Sequence, residues 1–354
     1  MNPVLAVIVR CVVASNPGAP DLQTLHVLEC DADTGSMAIV QKVKGIQGTN
    51  YFCMDSARTN IYTYIRAESA GKAKGEIVRF PFKDGKIGEM KKLAQLPAET
   101  PCHIALSPDG RRLGFACYGS ATVGTLAVDG SGLVTAVHDD TGLGTDKSRQ
   151  NKAHAHCALF TPDSRYFGVV DLGKDSVLFY EPSTMNPVPS MTIRTDPGDG
   201  PRHAVWSKDA RFLFVLNELG NSVMSFAFDG TKFTRVGKWT TLPAGFAEWS
   251  KAAAIRLTND GTTLLASNRG YKKNSIAIYS VDRGKGTLAL RNVSAVDGIF
   301  PRDFELTPDE RFVIVGHKRS DEVCMYRFDR NAFTLTPAGE RIRIWKPLCF
   351  GFAP

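Results

Sequence analysis

One hairpin recurs along this chain. "PCHIALSPDGRRLGFACYG" (101–119), "HAHCALFTPDSRYFGVVDLG" (154–173), "PRHAVWSKDARFLFVLNELG" (201–220), "KAAAIRLTNDGTTLLASNRG" (251–270) and "PRDFELTPDERFVIVGHKR" (301–319) share one pattern. Apolar and polar residues alternate, a turn with an aspartate intervenes, and the alternation resumes. "TNYFCMDSARTNIYTYIRA" (49–67) is a weaker copy. The turn aspartates are Asp55, Asp109, Asp163, Asp209, Asp260 and Asp309, separated by 54, 54, 46, 51 and 49 residues. Period-two alternation marks half-buried strands, and Pro, Asp and Gly have local reasons to occupy the turn. A period near 50 with several short strands per unit predicts a β-propeller.

Each unit continues alike. "SVLFYEPS" and "PVPSMTIRT", "SVMSFAFDG" and "FTRVGKWTT", or "SIAIYSVDR" and "LALRNVSAV" follow the hairpin as two further strands. A blade therefore runs a-b-c-d, and extended helical periodicity is absent. The ends are incomplete in complementary ways. "LAVIVRCVV", "TLHVLECDA" and "MAIVQKV" supply strands b, c and d, while "PLCFGF" (347–352) supplies strand a. Joining them completes a seventh blade and covers edges otherwise open to mispairing. The expected fold is all-β: a single seven-bladed β-propeller over residues 1–354, closed by N-terminal strands plus one C-terminal strand.

The 354 residues could form about two domains by length alone, but repetitive β folds exceed that prior. The 43% apolar content suffices for a large core. No apolar run reaches the ~18 residues of a membrane span. Arg10 interrupts the N-terminal apolar run and no basic segment precedes it, which argues against a signal peptide and for a cytoplasmic location. Eight cysteines occur without any C-x-x-C pair, so they read as small buried residues rather than zinc ligands. The net charge is +7 without a Lys/Arg block, which gives no support to nucleic-acid or membrane partners. The sequence carries no signal for an oligomeric state.

In a propeller, strand a lines the central channel and strand b lies antiparallel beside it. The start of a and the end of b therefore share one mouth. His103, His154, His156, Arg202, His203 and Arg302 stand at starts of a; Asp171, Glu218, Arg269 and His317 stand at ends of b. His154 and His156, at i and i+2, share a face if their strand is regular. Arginine forks suit an anionic small molecule, histidine titrates near neutrality, and glutamate serves as a base or orients a histidine. Asp171 reads as a support for the following turn. Structural readings stand beside these: Arg202 as an ion-pair partner, Glu218 as a turn residue. No Gly-rich phosphate loop, H-E-x-x-H or G-x-S-x-G occurs.

These segments also resemble a known family, the seven-bladed propeller lactonases. That family includes cycloisomerase-type 6-phosphogluconolactonases and carboxy-cis,cis-muconate lactonizing enzyme. The resemblance rests on "RQNKAHAHCALFTPD", "VVDLGKDSVLFY", "DPGDGPRHAVW", "FVLNELGNSV", "LASNRGYKKNSIAIYSVD" and "FPRDFELTPDERF", and covers the chain from about Thr49 onward. It implies active-site roles for the histidine of H-x-H, the arginine of GPRH, the glutamate of NEL and the arginine of NRG. By motif these fall on His154, Arg202, Glu218 and Arg269. This chain departs from the family in "HAH" for HPH, in an alanine of "KAAAIRL" for an acid, in "PRD" at Asp303 for PRN, and in "GHKR".

The leading expectation is hydrolysis of a sugar lactone such as 6-phosphogluconolactone. His154 or Glu218 would take the proton from water, with Arg202 and Arg269 holding the anion and offsetting oxyanion charge. His156, His203, His103 and Arg302 are substrate-binding candidates. No cofactor and no metal are expected, because a lactone is already electrophilic. Muconate-type cycloisomerisation needs the same anion clamp and one proton carrier, so it stays open at this point. A non-enzymatic interaction platform is the third reading. A metal-dependent propeller site is disfavoured by the two arginines in the channel.

Overall fold

A computed structural model of the protein describes residues 8–16, 24–69 and 72–353. Seven antiparallel sheets make up the fold: blades one to six carry the turns at Asp55, Asp109, Asp163, Asp209, Asp260 and Asp309 in chain order, and the seventh crosses the termini. The blade that crosses the termini pairs Pro347–Ala353 with Ile8–Ser15, then Leu25–Asp31, then Met37–Val43. Val13 faces Phe350 and Ala14 faces Cys349 across the closure. This matches the expected one-plus-three arrangement. Leu5, Ala6 and Val7 of the expected strand lie outside the described residues.

The repeating turn has a repeating cause. In the hairpin at Asp109, the Ser107 hydroxyl donates to the Asp109 carboxylate at 2.6 Å, and Ser107 Oγ accepts the Arg112 N–H at 2.9 Å. Thr161 with Asp163, Ser207 with Asp209, Thr258 with Asp260 and Thr307 with Asp309 repeat the first contact. The residue after each aspartate takes a left-handed backbone; Gly110 and Gly261 do so without cost, while Ser164, Ala210 and Glu310 accept the strain. Blade one's turn is longer, with Arg58 in that conformation.

Seven apolar clusters fill the seven spaces between neighbouring blades. Period-two alternation divides each inner strand between two of them. In Phe212–Asn217, Leu213 and Val215 pack toward blade three, whereas Phe212, Phe214 and Leu216 pack toward blade five. The cysteines sit in or beside these strands, six of them buried.

"PVPSMTIRT" departs from expectation. Only Ile193–Arg194 pairs as a strand, after a 3₁₀ turn at Pro189–Met191. Pro187 and Pro189 lack the N–H that a ladder needs.

Candidate active site

Two structural positions, repeated from blade to blade, build one mouth of the channel. The first lies near the start of strand a. The register shifts between Ala155 and Cys157, between Pro201 and His203, and between Pro301 and Asp303. Each shift is a β-bulge, and the extra residues are His156, Arg202 and Arg302. A bulge re-aims the side chain that it leaves unpaired. The histidine strand is therefore not regular, and His154 and His156 do not share a face by simple alternation.

The second position lies at the end of strand b, nine residues past the turn aspartate, and in blade five it is itself paired, Arg269 with Lys251. Asp171, Asn217, Asn268 and His317 pair across to strand a. The next residues are Leu172, Glu218, Arg269 and Lys318, and Tyr118 is their counterpart in blade two. The residues one step earlier serve the blades instead. Asn217 donates to Asp199 and Ser222, and Asn268 donates to the Thr241 carbonyl. His317, expected at the mouth, is instead fully buried against Gly298, and burial pushes its pKa down to about 4. Asp171 accepts the His154 N–H at 2.8 Å and the Lys174 N–H at 3.1 Å, and pairs with His138 at 2.5 Å. It fixes the backbone that carries His154.

Glu218 is the centre of the mouth. It is 1% exposed, and three guanidiniums reach it. Arg149 Nη1 is 2.7 Å from Oε1, Arg202 Nε is 3.2 Å from Oε2, and Arg269 Nη2 also contacts Oε2. Burial opposes ionisation of Glu218, but Arg269, Arg202 and Arg149 outweigh it and hold the carboxyl below its ordinary range. Arg202 also donates to the Ala253 carbonyl and, at 3.0 Å, to His203 Nε2. Burial and its neighbours Arg302 and Arg269 push the Arg202 guanidinium down, and burial brings Arg269 to about 10. The Arg269 Nε and His156 Nδ1 atoms are buried without a hydrogen-bond partner among the described residues.

Arg149 was not anticipated. It arrives on the loop between blades two and three, which has no counterpart in the repeat. That loop is anchored by Gln150, which donates to the Leu172 carbonyl at 2.9 Å and to Asp175 at 2.7 Å. Tyr118 and Lys318 were also missed. The signal for both was available: they align with Glu218 and Arg269 when the hairpins are superposed by register.

A row of rings connects the mouth to the channel. His154 stacks on Tyr118 at 4.2 Å between centroids, and His156 meets the same ring edge-on at 5.5 Å. The Tyr118 hydroxyl accepts from Arg149 at 3.1 Å. His154 Nδ1 donates to the Tyr118 carbonyl at 2.9 Å, and its Nε2 stands 3.4 Å from Asn151 Oδ1. His203 stands 5.5 Å from His156 and 5.3 Å from His103, and His103 stacks on Tyr51 at 4.0 Å. Burial keeps His156, His203 and His103 neutral, with His103 pushed down to about 3.

His103 lies one layer below the mouth. The Ala158 N–H donates to its Nδ1 at 3.3 Å, and Cys157 Sγ is 3.6 Å from Nε2. With Tyr51 it lines a cavity of about 840 Å³, bounded also by Arg256 and Glu305 on strands running toward the opposite, turn-bearing face and by Asn259 in a turn of that face. Asp303, pushed up to about 6 by burial, pairs there with Arg256 at 3.0 Å.

On the blade-five and blade-six side of the mouth, Trp249, Tyr271 and Phe300 form a half-exposed aromatic rim. Arg269 lies 5.1 Å over the Phe300 ring, and Arg319 lies 4.5 Å over Tyr271.

The 6-phosphogluconolactonase of Bacillus subtilis is 25% identical over 335 residues, spanning 93% of this chain and 94% of that protein. The 6-phosphogluconolactonase of Formosa agariphila is 25% identical over 315 residues, spanning 86% and 88%. Among solved structures, a periplasmic gluconolactonase of Pseudomonas aeruginosa superposes with a TM-score of 0.87 at 25% identity, covering 98% of this chain and 99% of that one. Residues 12–352 match the family described as lactonase, 7-bladed beta-propeller, and the chain belongs to that family.

Proposed function

We propose that the protein hydrolyses a sugar lactone at the Glu218 mouth. The observation that carries this reading is the clamp of Arg149, Arg202 and Arg269 on one buried carboxylate, beside an orphaned Arg269 N–H and a ring-stacked histidine. The names of the two bacterial 6-phosphogluconolactonases and of the gluconolactonase support the same substrate class.

In this reading His154 is the base. A carboxylate held by three guanidiniums is a weak proton acceptor, and His156, His203 and His103 are weak bases while burial keeps their pKa values low. His154 Nε2 removes a proton from water as the water oxygen bonds to the lactone carbonyl carbon. The carbonyl oxygen becomes an oxyanion, which Arg269 and Arg202 stabilise. The ring C–O bond then breaks, and the leaving oxygen takes the proton back from His154. Water and lactone give a hydroxy acid. Glu218 positions the arginines and neutralises part of their charge between turnovers.

The test is lactone hydrolysis followed by acid release and corrected for spontaneous opening, with the wild type and Arg202→Ala compared. Turnover by the wild type and its loss in the variant are expected. Equal rates in both, above background, would remove Arg202 from the reaction.

A further inference from the structure

Blade six repeats blade four with one sign of charge inverted. In blade four, Pro201 pairs with Asn217, the bulge presents Arg202, and the residue after Asn217 is Glu218. The fold brings those two side chains to 3.2 Å, where they form an ion pair. In blade six, Pro301 pairs with His317, the bulge presents Arg302, and the residue after His317 is Lys318. The same two backbone positions now carry two cations. Among the described residues, neither Arg302 nor Lys318 has an ion-pair or hydrogen-bonding partner for its charged group. Their backbone is held nonetheless, with the Lys318 N–H donating to the Phe300 carbonyl at 3.0 Å.

Two half-buried like charges repel unless something lies between them. Burial and the proximity of Arg302, Arg269, Lys346 and Arg319 bring the Lys318 ammonium down to about 8, in line with a cluster that has no anion of its own. The arginines around Glu218 already share a carboxylate. A substrate anion therefore finds at blade six two cations with no carboxylate of their own, in addition to the positive charge that Glu218 leaves over at its arginines.

We infer that Arg302 and Lys318 form an anion subsite for a phosphate monoester carried by the substrate, two blades round the mouth from Glu218. Two facing cations match a dianion in charge, and a phosphate offers enough oxygens to accept from both. The inference rests on the lactonase reading for the rest of the ligand, but the subsite itself is testable without turnover.

The probes are inorganic phosphate and acetate, titrated by calorimetry into the wild type, Lys318→Gln, Arg302→Gln and Lys318→Arg. Phosphate binding should weaken about tenfold in each glutamine variant, as expected for one lost charge-assisted hydrogen bond, and survive in Lys318→Arg. In turnover, the ratio of kcat/KM for 6-phosphogluconolactone over glucono-1,5-lactone should fall about tenfold in Lys318→Gln. An unchanged ratio together with unchanged phosphate binding overturns the subsite, and acetate binding as tight as phosphate overturns the phosphate assignment. If the wild type opens neither lactone, the lactonase reading fails while phosphate binding alone still decides the subsite.

Discussion

Glu218 and its three arginines leave the mouth with two positive charges to spare, yet the carboxylate is what makes their approach tolerable. Glu218→Gln removes it and leaves three guanidiniums facing one another, so unfolding in urea should show a loss of about 3–5 kcal/mol, the usual result of breaking a buried charge cluster. A loss under ~1 kcal/mol would mean that water already screens the cluster. His154→Gln touches no ion pair. It should lower kcat by about 10²–10⁴ with little change in melting temperature, as read by steady-state kinetics and calorimetry. The neutral histidines make stability depend on pH. His103, His156 and His203 have folded pKa values below their unfolded ones, so the unfolded chain takes up protons that the native chain refuses. Their stabilising contribution is complete above the unfolded value of about 6.5 and falls as pH drops below it, continuing toward about 3 for His103. Each adds a slope of about 1.4 kcal/mol per pH unit within its window. Urea unfolding at pH 7, 6 and 5 should show the decline; a flat profile would mean that the rings are protonated in the native state.

At the scale of elements, the site depends on bulges and on close backbone contacts more than on strand propensity. The bulges at His156, Arg202 and Arg302 are irregularities in otherwise regular ladders, and each delivers one charged or titratable group. Gly173 shows the other dependence. A Cβ there would collide with the Lys152 carbonyl and the His154 N–H, because the strand leaving Asp171 passes directly under the segment that enters blade three. Gly173→Ala should therefore displace His154 before it unfolds the blade. The expected outcome is a stability cost of about 1–3 kcal/mol, typical of overpacking, with a disproportionate fall in kcat. Equal retention of activity and stability would show that the loop yields without moving the histidine.

For the whole molecule, closure is the decisive property. Seven clusters lie between seven blades, so each blade is stabilised by two neighbours and by little within itself. The strand Pro347–Ala353 is the inner strand of the blade that joins the ends, and Phe350 and Phe352 contribute to the cluster it shares with blade six. Removing residues 347–354 would bare the edge of Ile8–Ser15 and expose two clusters. Size-exclusion chromatography and a melting curve should show aggregation and loss of cooperative unfolding. A monomeric, cooperatively melting truncation would mean that six blades and a remnant suffice.

The repeat was legible because its causes are local. Alternation, the Ser/Thr-x-Asp turn and the spacing of the aspartates all act within a single hairpin. Blade count and terminal closure followed from them. The family motifs singled out His154, Arg202, Glu218 and Arg269, and strand direction alone was enough to expect them at one mouth. Three things depended on tertiary structure. The bulges turned a simple i, i+2 expectation for the histidines into a different geometry, and a one-residue offset buried His317 while presenting Lys318. Arg149 came from a loop outside the repeat, whose course is set by contacts to blade three. Charge pairing was decided last: only the folded chain shows that Glu218 already has three partners and that, among the described residues, Arg302 and Lys318 have none, because which charges meet depends on distances between blades that are remote along the chain.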